Sequence, residues 1–184
     1  MQLHDTGLRF SPVTLFLHWA VAAAVLALLG LGFAAARLEE GPGKLALLGL
    51  HGSIGLCVFV LSLYRLWARL SFHHPLPVGA VSPIELIVSR SLAVALIVAT
   101  VLLPLLGWIA LSAAGTKLGL FGGVALAPLV EPAPGLAGVA VLLHRFGAYA
   151  FAAGLALHAL GAFRHHVVNK DDTLRRMLGK QVEL

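Results

Sequence analysis

Four long apolar segments restrict the fold of this chain more than any other feature of its sequence. They cover about 13–36, 45–67, 84–113 and 136–168, and each reaches the roughly 20 residues that a helix needs to cross a bilayer. Lipid offers no hydrogen-bond partner to a peptide group, so each segment must satisfy its own backbone as a helix. The turn-forming stretches "EEGPGK", "HHPLPVG" and "EPAPG" separate the segments. We therefore predict an all-α transmembrane four-helix bundle, built as one integral-membrane domain over residues 1–184.

Composition supports a membrane protein and excludes several other classes. The chain is 59% hydrophobic and 11% charged, whereas a soluble domain is about half apolar and a quarter charged. Its single cysteine excludes an internal disulfide framework and any multi-cysteine metal site. Cys57 lies in an apolar run, where we expect a small buried side chain. No basic stripe carries interleaved aromatic residues, so lipid rather than nucleic acid is the expected environment.

The distribution of basic residues predicts the orientation of the bundle. Arg65 and Arg69 flank the second loop, and a further basic group follows the fourth segment: Arg164, Lys170, Arg175, Arg176 and Lys180. In the first loop Arg37 and Lys44 are offset by Glu39 and Glu40, and the third loop has Lys117 with Glu131. By the positive-inside rule, both termini and the middle loop face the cytoplasm.

Histidines inside the apolar segments are the candidate functional residues. The chain has nine histidines, and we expect His4, His73 and His74 on the solvated surface. His165 and His166 fall at the cytoplasmic end of the fourth segment, where interfacial contacts are expected. The remaining histidines lie inside the spans: His18, His51, His144 and His158. Ionisable groups at such positions are expensive and usually functional.

Helix geometry sorts these four histidines into two pairs. His144 and His158 are fourteen residues apart, which is nearly four whole turns and about 21 Å of rise, so both point to about the same helix face. With the predicted topology, His51 lies at the depth of His144 near the outer side. His18 lies at the depth of His158 near the inner side.

Two facing imidazoles in the core of a helical bundle suit the axial positions of six-coordinate haem iron. A structural zinc would need four ligands at one point, whereas these histidines occupy two depths. Glu85 stands alone at the head of the third segment, so no carboxylate is available to complete a di-iron site. Two bis-histidyl haems are the favoured interpretation. Isolated polar contacts between helices and a proton relay without haem remain the alternatives.

Small residues near the histidines are compatible with close packing or with a flat cofactor. Gly52, Ser53 and Gly55 follow His51, and Gly147 and Gly154 lie between the histidines of the fourth segment. The same residues serve ordinary helix–helix packing equally well.

The sequence around these histidines resembles the bacterial cytochrome b561 family, the small di-haem quinone-linked membrane cytochromes that include superoxide oxidases. The similar pieces are "LFLHWAVA" at 15–22, "LHGSIGLCVFVLSLYRLWARL" at 50–70, "LLPLLGW" at 102–108 and "LLHRFGAYAFAAGLALHALGAFRHHVVNKDDTLRRML" at 142–178. The resemblance implies two haem b groups. His18 and His158 would ligate the cytoplasmic-side haem, and His51 and His144 the periplasmic-side haem. It also implies a multi-pass protein of the bacterial inner membrane.

Bis-histidyl iron has no open coordination position, so electron transfer is favoured over oxygen chemistry. The resemblance implies an oxidoreductase that oxidises superoxide and reduces ubiquinone. The candidates for drawing an anionic donor on the outer side are Lys44, Lys117 and Arg145. Either haem propionates or topology would account for Arg65, Arg69 and Arg164, with topology favoured, and Arg145 is a further candidate for a propionate. The alternative is a non-catalytic electron-transfer or anchor subunit that serves a periplasmic redox partner.

The third segment departs from the family pattern. Many members carry histidine and tyrosine in its first half, whereas this chain reads "ELIVSRSLAVALI", with Arg90, Ala93 and Ile97 at the relevant positions. These positions are not iron ligands in the family. The departure bears instead on any cytoplasmic-side pocket that this segment helps to build.

Overall fold

A computed structural model describes residues 5–6, 9–71, 82–116, 119–121 and 123–180. Its long helices are α1 (Pro12–Ala35), α2 (Pro42–Ser71), α3 (Pro83–Ala113) and α4 (Pro134–Arg164). A π-helical turn (His165–Asn169) and a short helix α5 (Thr173–Met177) follow, and strands β1 (Gly119–Leu120) and β2 (Val124–Ala125) lie between α3 and α4. Within the described residues, four helices are long and apolar enough to cross a membrane. The predicted membrane protein of predominantly helical fold is confirmed, with 79% of the structure helical.

Proline marks the start of every long helix. The first residues of α1 to α4 are Pro12, Pro42, Pro83 and Pro134. A proline at this position sacrifices only an N–H that has no partner within the helix, and its fixed φ already suits the helix. Serine caps reinforce two of these starts, because Ser11 Oγ accepts from the Thr14 N–H at 3.1 Å and Ser82 Oγ from the Glu85 N–H at 3.2 Å. These local signals set the helix starts to within a few residues of the predicted ones.

The helix ends differ more from the prediction than the helix starts. The second span, expected over 45–67, continues as helix to Ser71, since long arginine side chains can leave the apolar zone while their backbone stays helical. The fourth span, expected to 168, ends as α-helix at Arg164 and widens into the π-helical turn. Lys170 then reverses the chain in the left-handed region, at φ 55°.

The helices pack in sequence order, α1 along α2, α2 along α3 and α3 along α4, while α1 and α4 make no comparably close approach. A small core of Val21, Val25, Val58 and Phe151 lies at the centre. We call the end that carries the start of α1 and the end of α4 the termini end. The opposite end, with the α1–α2 and α3–α4 connections, is the loop end. Three sides of the bundle are therefore closed by direct packing of neighbouring helices.

The packing favours one of the two alternatives that the sequence left open for the small residues, and it corrects the expectation for Cys57. A Cβ added at Gly147 would lie 2.7 Å from Leu103 Cδ2, and one at Gly154 would lie 3.4 Å from Leu96 Cδ2. These glycines therefore allow α3 and α4 to approach closely, which is ordinary helix packing. Cys57 is exposed on the surface of α2 rather than buried, because its apolar run faces outward as well as inward.

The connection between α3 and α4 folds over the loop end. Its two strands pair antiparallel, and the N–H of Phe121 donates to Ser53 Oγ at 2.9 Å. Trp108 Nε1 donates to the carbonyl of Ala127 at 3.1 Å. A connection that was expected only as a loop is thus tied to both α2 and α3.

The termini end is closed by contacts between the two ends of the chain. Trp19 Nε1 on α1 donates to the carbonyl of Met177 on α5 at 2.9 Å. The Arg176 guanidinium lies over the ring of Phe10 at 5.4 Å, within the range of a cation–π contact. The short helix α5, which was not predicted, therefore fastens the C-terminal segment to α1.

The glycine contact between α3 and α4 generates a stability test. We expect Gly147→Val to lower the free energy of unfolding by about 1–3 kcal/mol, since its side chain must displace Leu103. Gly138→Val on the same helix is the matched control, because a Cβ at Gly138 meets nothing within 4 Å. Thermal unfolding in detergent measures both variants. Equal losses in the two would contradict the packing role of Gly147.

Candidate functional site

The four histidines of the spans meet as two pairs inside the bundle. His51 of α2 faces His144 of α4, with ring centroids 6.0 Å apart and ring planes at 73°. His18 of α1 faces His158 of α4, with centroids 6.3 Å apart and planes at 50°. The first pair lies towards the loop end and the second towards the termini end. The pairing deduced from spacing is thus the pairing that the structure brings together.

The spacing within each pair fits a metal ion held between two imidazoles. Two metal–nitrogen bonds of about 2 Å, with the ring radii beyond them, place the ring centres about 6 Å apart. Among the described residues no group of three or more His, Cys, Asp or Glu side chains could hold a metal ion. A site with two protein ligands matches a flat macrocycle that supplies the other four coordination positions of the metal.

The imidazole of His144 is oriented by α3. Its Nδ1 lies 2.8 Å from the carbonyl oxygen of Leu103, and a Cβ added at Gly107 would approach its Cε1 and Nδ1 at 3.4 Å. An Nδ1–H that donates to this carbonyl leaves Nε2 unprotonated and free to bind a metal. The neighbouring helix therefore fixes both the tautomer and the direction of the ring.

His51 has matching surroundings on α1. A Cβ at Gly32 would lie 3.2 Å from its Cε1 and 3.5 Å from its Nδ1. The Nδ1 of His51 is buried, and no hydrogen bond to it is found among the described residues. Gly32 and Gly107 were missed from sequence. The glycines singled out there were neighbours of histidine along the chain, whereas these two contact histidine from another helix.

A cavity of about 490 Å³ adjoins the loop-end pair. His51 and His144 line it together with the cations Lys44 and Arg145. The Lys44 ammonium also pairs with Glu40 Oε1 at 2.5 Å, so part of its charge is balanced. This volume is typical of small-molecule and cofactor sites. Lys117, the third expected cation on this side, lies outside the described residues.

The termini-end pair has a cation beside it. Arg65 Nη2 lies 3.3 Å from His18 Nδ1, and the edge of the Trp19 ring packs against His18 at a centroid distance of 5.2 Å. Arg65 was favoured as a topology determinant from sequence. In the structure its guanidinium reaches inward to a histidine of the pair.

A second polar cluster lies at the same end, around His165. Its Nδ1 is 2.5 Å from Asp171 Oδ2 and its Nε2 is 3.5 Å from Glu85 Oε1. Arg164 also pairs with Glu85 Oε1, at 2.5 Å. Glu85 therefore joins the start of α3 to the end of α4. His166 is exposed.

The Asp171 carboxyl is held in its charged form. Partial burial by itself favours the neutral acid, but hydrogen bonds from the His165 ring and from Thr173 outweigh it and lower the pKa of Asp171. The Thr173 N–H donates to Asp171 Oδ1 at 2.9 Å. Asp171 therefore fixes the turn between the π-helical segment and α5.

Several other residues that the sequence singled out lie either outside the described residues or on the surface. His4, His73 and His74 lie outside the described residues. Arg90 is exposed on α3, so the unusual third segment presents this charge outward rather than to the histidines.

Comparison with known proteins gives matches over almost the whole chain. The family model described as "Prokaryotic cytochrome b561" matches residues 9–180. Cytochrome b561 homolog 2 of Escherichia coli (strain K12) is 28% identical over 181 residues, which cover 98% of this chain and 96% of that protein. Cytochrome b561 homolog 1 of the same organism is 29% identical over 178 residues, which cover 94% and 98%.

The turn at Asp171 generates a pH test. Because the folded state lowers the pKa of this carboxyl, its stabilising contribution is present above its ordinary pKa of about 4 and is lost as pH falls through the lower folded-state value. We expect hydrogen exchange of residues 171–178, corrected for intrinsic rates, to accelerate below about pH 4. Asp171→Asn should show fast exchange already at neutral pH. Asp172→Asn, whose partner is Arg175 at the surface, is the control, and equal behaviour of the two variants would contradict this role.

Proposed function

Since this chain belongs to the prokaryotic cytochrome b561 family of membrane electron-transfer proteins, which bind b-type haem, we propose that it is an oxidoreductase that takes electrons from superoxide and delivers them to ubiquinone. The observation that carries the proposal is the presence of two facing histidine pairs at two depths of one bundle, with ring centroids 6.0 and 6.3 Å apart.

We assign one haem b to each pair. His51 and His144 would hold the haem iron at the loop end, and His18 and His158 would hold it at the termini end. Each bound haem would supply a one-electron carrier. The residues around the pairs then act by orienting the imidazoles, through the Leu103 carbonyl and the close approaches of Gly32 and Gly107.

We place the termini end at the cytoplasmic face of the bacterial inner membrane and the loop end at the periplasmic face. The support is the excess of basic residues near the two termini and around the second loop. Electrons would then enter near His51 and His144 and leave near His18 and His158.

The loop-end cavity, whose lining includes both His51 and His144, would hold the haem assigned to them, and its cations suit an anionic donor. Lys44 and Arg145 line it beside the histidines, and positive charge in a cleft raises the encounter rate of small anions. Each superoxide gives up one electron and becomes dioxygen. Two superoxides and two protons therefore convert one ubiquinone to ubiquinol.

The protons for ubiquinone would come through the termini end. His165 is half-buried there between the carboxylates of Asp171 and Glu85, and a histidine in this position can pass a proton from water to a bound quinone. We therefore propose His165 as the proton donor on the quinone side.

The haem assignment predicts selective cofactor loss. We expect His158→Ala to lose the termini-end haem and His144→Ala the loop-end haem, so that each variant retains about one haem per chain by pyridine haemochrome assay. His166→Ala is the matched control, because this exposed histidine belongs to neither pair, and it should retain both haems. Two intact haems in either pair variant would refute the pairing.

The reaction predicts that two variants affect different half-reactions in stopped-flow experiments. Arg145→Gln should slow reduction of the cytochrome by superoxide about threefold at low salt, with the difference shrinking as ionic strength rises. His165→Ala should leave that step unchanged and slow reoxidation by ubiquinone about tenfold or more.

Failure of superoxide to reduce the unmodified two-haem protein would reject the enzyme. It would leave the alternative of an electron-transfer or anchor subunit that serves a periplasmic redox protein.

A further inference from the structure

The two histidine pairs differ in what their ring nitrogens contact. At the loop end, His144 Nδ1 faces a hydrogen-bond acceptor, the Leu103 carbonyl oxygen at 2.8 Å. At the termini end, His18 Nδ1 faces the Arg65 guanidinium, with Nη2 at 3.3 Å. A guanidinium has five N–H donors and no acceptor. A carbonyl therefore contacts a ring nitrogen of the loop-end pair and a guanidinium contacts one of the termini-end pair. The loop-end cations Lys44 and Arg145 line the cavity, but no hydrogen bond from them to either ring is found among the described residues.

Among the side chains of the described residues, Arg65 has no carboxylate partner, so its remaining candidate counter-ion is a propionate of a haem bound there. Arg164 and Arg175 pair with Glu85 and Asp172, whereas no ion pair of Arg65 is found within that part of the chain. Its side chain is half-buried on α2 and directed at His18. A charge in such surroundings is screened less by water and salt than a surface charge.

These two environments act in opposite directions on a metal held by the pairs. A ligand histidine that donates Nδ1–H to a carbonyl becomes more basic and stabilises the oxidised, more positive metal. When His18 binds a metal through Nε2, its Nδ1 carries the proton and Arg65 cannot accept it. The nearby positive charge then favours the reduced metal.

We propose that Arg65 is a positioning residue that sets the reduction potential of the haem at His18 and His158 above that of the haem at His51 and His144. This inference rests on the proposed function, because it needs a haem at each pair. The difference in reduction potential sets the direction of electron transfer between the two haems. An electron that enters at the loop end moves downhill to the termini end, where the proposed quinone reduction takes place.

Potentiometric titration of the purified protein, followed by visible spectra, tests this role. In the unmodified protein we expect two midpoints. Arg65→Gln should lower the higher one and leave the other in place, which reduces the equilibrium constant for electron exchange between the haems about tenfold, or about 59 mV for one electron. Arg65→Lys, which keeps the charge, should retain most of the separation.

Two further variants assign and control the measurement. His158→Ala retains only the loop-end haem and identifies its midpoint. Arg175→Gln removes the same charge at the termini end from an exposed residue that is paired with Asp172, and it should leave both midpoints unchanged.

The inference fails if Arg65→Gln moves neither midpoint, or if it moves both equally. If Arg65→Gln loses the termini-end haem, Arg65→Met becomes the uncharged test, and its midpoint is interpreted in the same way. Loss of that haem in both variants would make Arg65 a structural requirement and overturn the tuning role. An unmodified protein without haem would instead refute the proposed function, so the two failures are distinguishable.

Discussion

The requirement of a buried imidazole for hydrogen-bond or metal partners inside a membrane determines much of this structure. A histidine in hydrocarbon has a donor and an acceptor that lipid cannot satisfy, and this chain places four of them within its spans. The bundle brings them together in pairs, and at the loop end a neighbouring helix contacts each ring: the Leu103 carbonyl lies at His144 Nδ1, and Gly32 packs against His51. At Gly32 and Gly107 a neighbouring helix comes close enough to contact the rings of His51 and His144, respectively. The packing of the helices therefore determines the geometry of the site.

Much of the site follows from one helix and its periodicity. Because His144 and His158 share α4, their common face and their vertical separation depend only on local helix geometry. The partners His18 and His51 then follow from the direction in which each helix crosses the membrane. Proline at each helix start and the length of the apolar runs place the spans for the same reason, since these signals act within a few residues.

The features that were not predicted depend on how one helix is rotated against another. The contact of Gly107 with His144, the approach of Arg65 to His18 and the pairing of Glu85 with Arg164 each join different helices. No pattern within a single helix encodes those rotations. Membership of the prokaryotic cytochrome b561 family adds that b-type haem is bound, but the neighbours of the histidines depend on this chain's own packing.

The bond between Trp19 and Met177 has a consequence for how the molecule assembles. It joins residues 158 positions apart, and α1 and α4 do not otherwise approach as closely as the sequential helix pairs. Contacts between such distant positions form late, because a long stretch of chain must be ordered before they are favourable. The ring of helices is therefore closed by a contact that requires α5, which follows all four long helices along the chain. Before α5 folds against α1, the side of the bundle between α1 and α4 lacks this hydrogen bond.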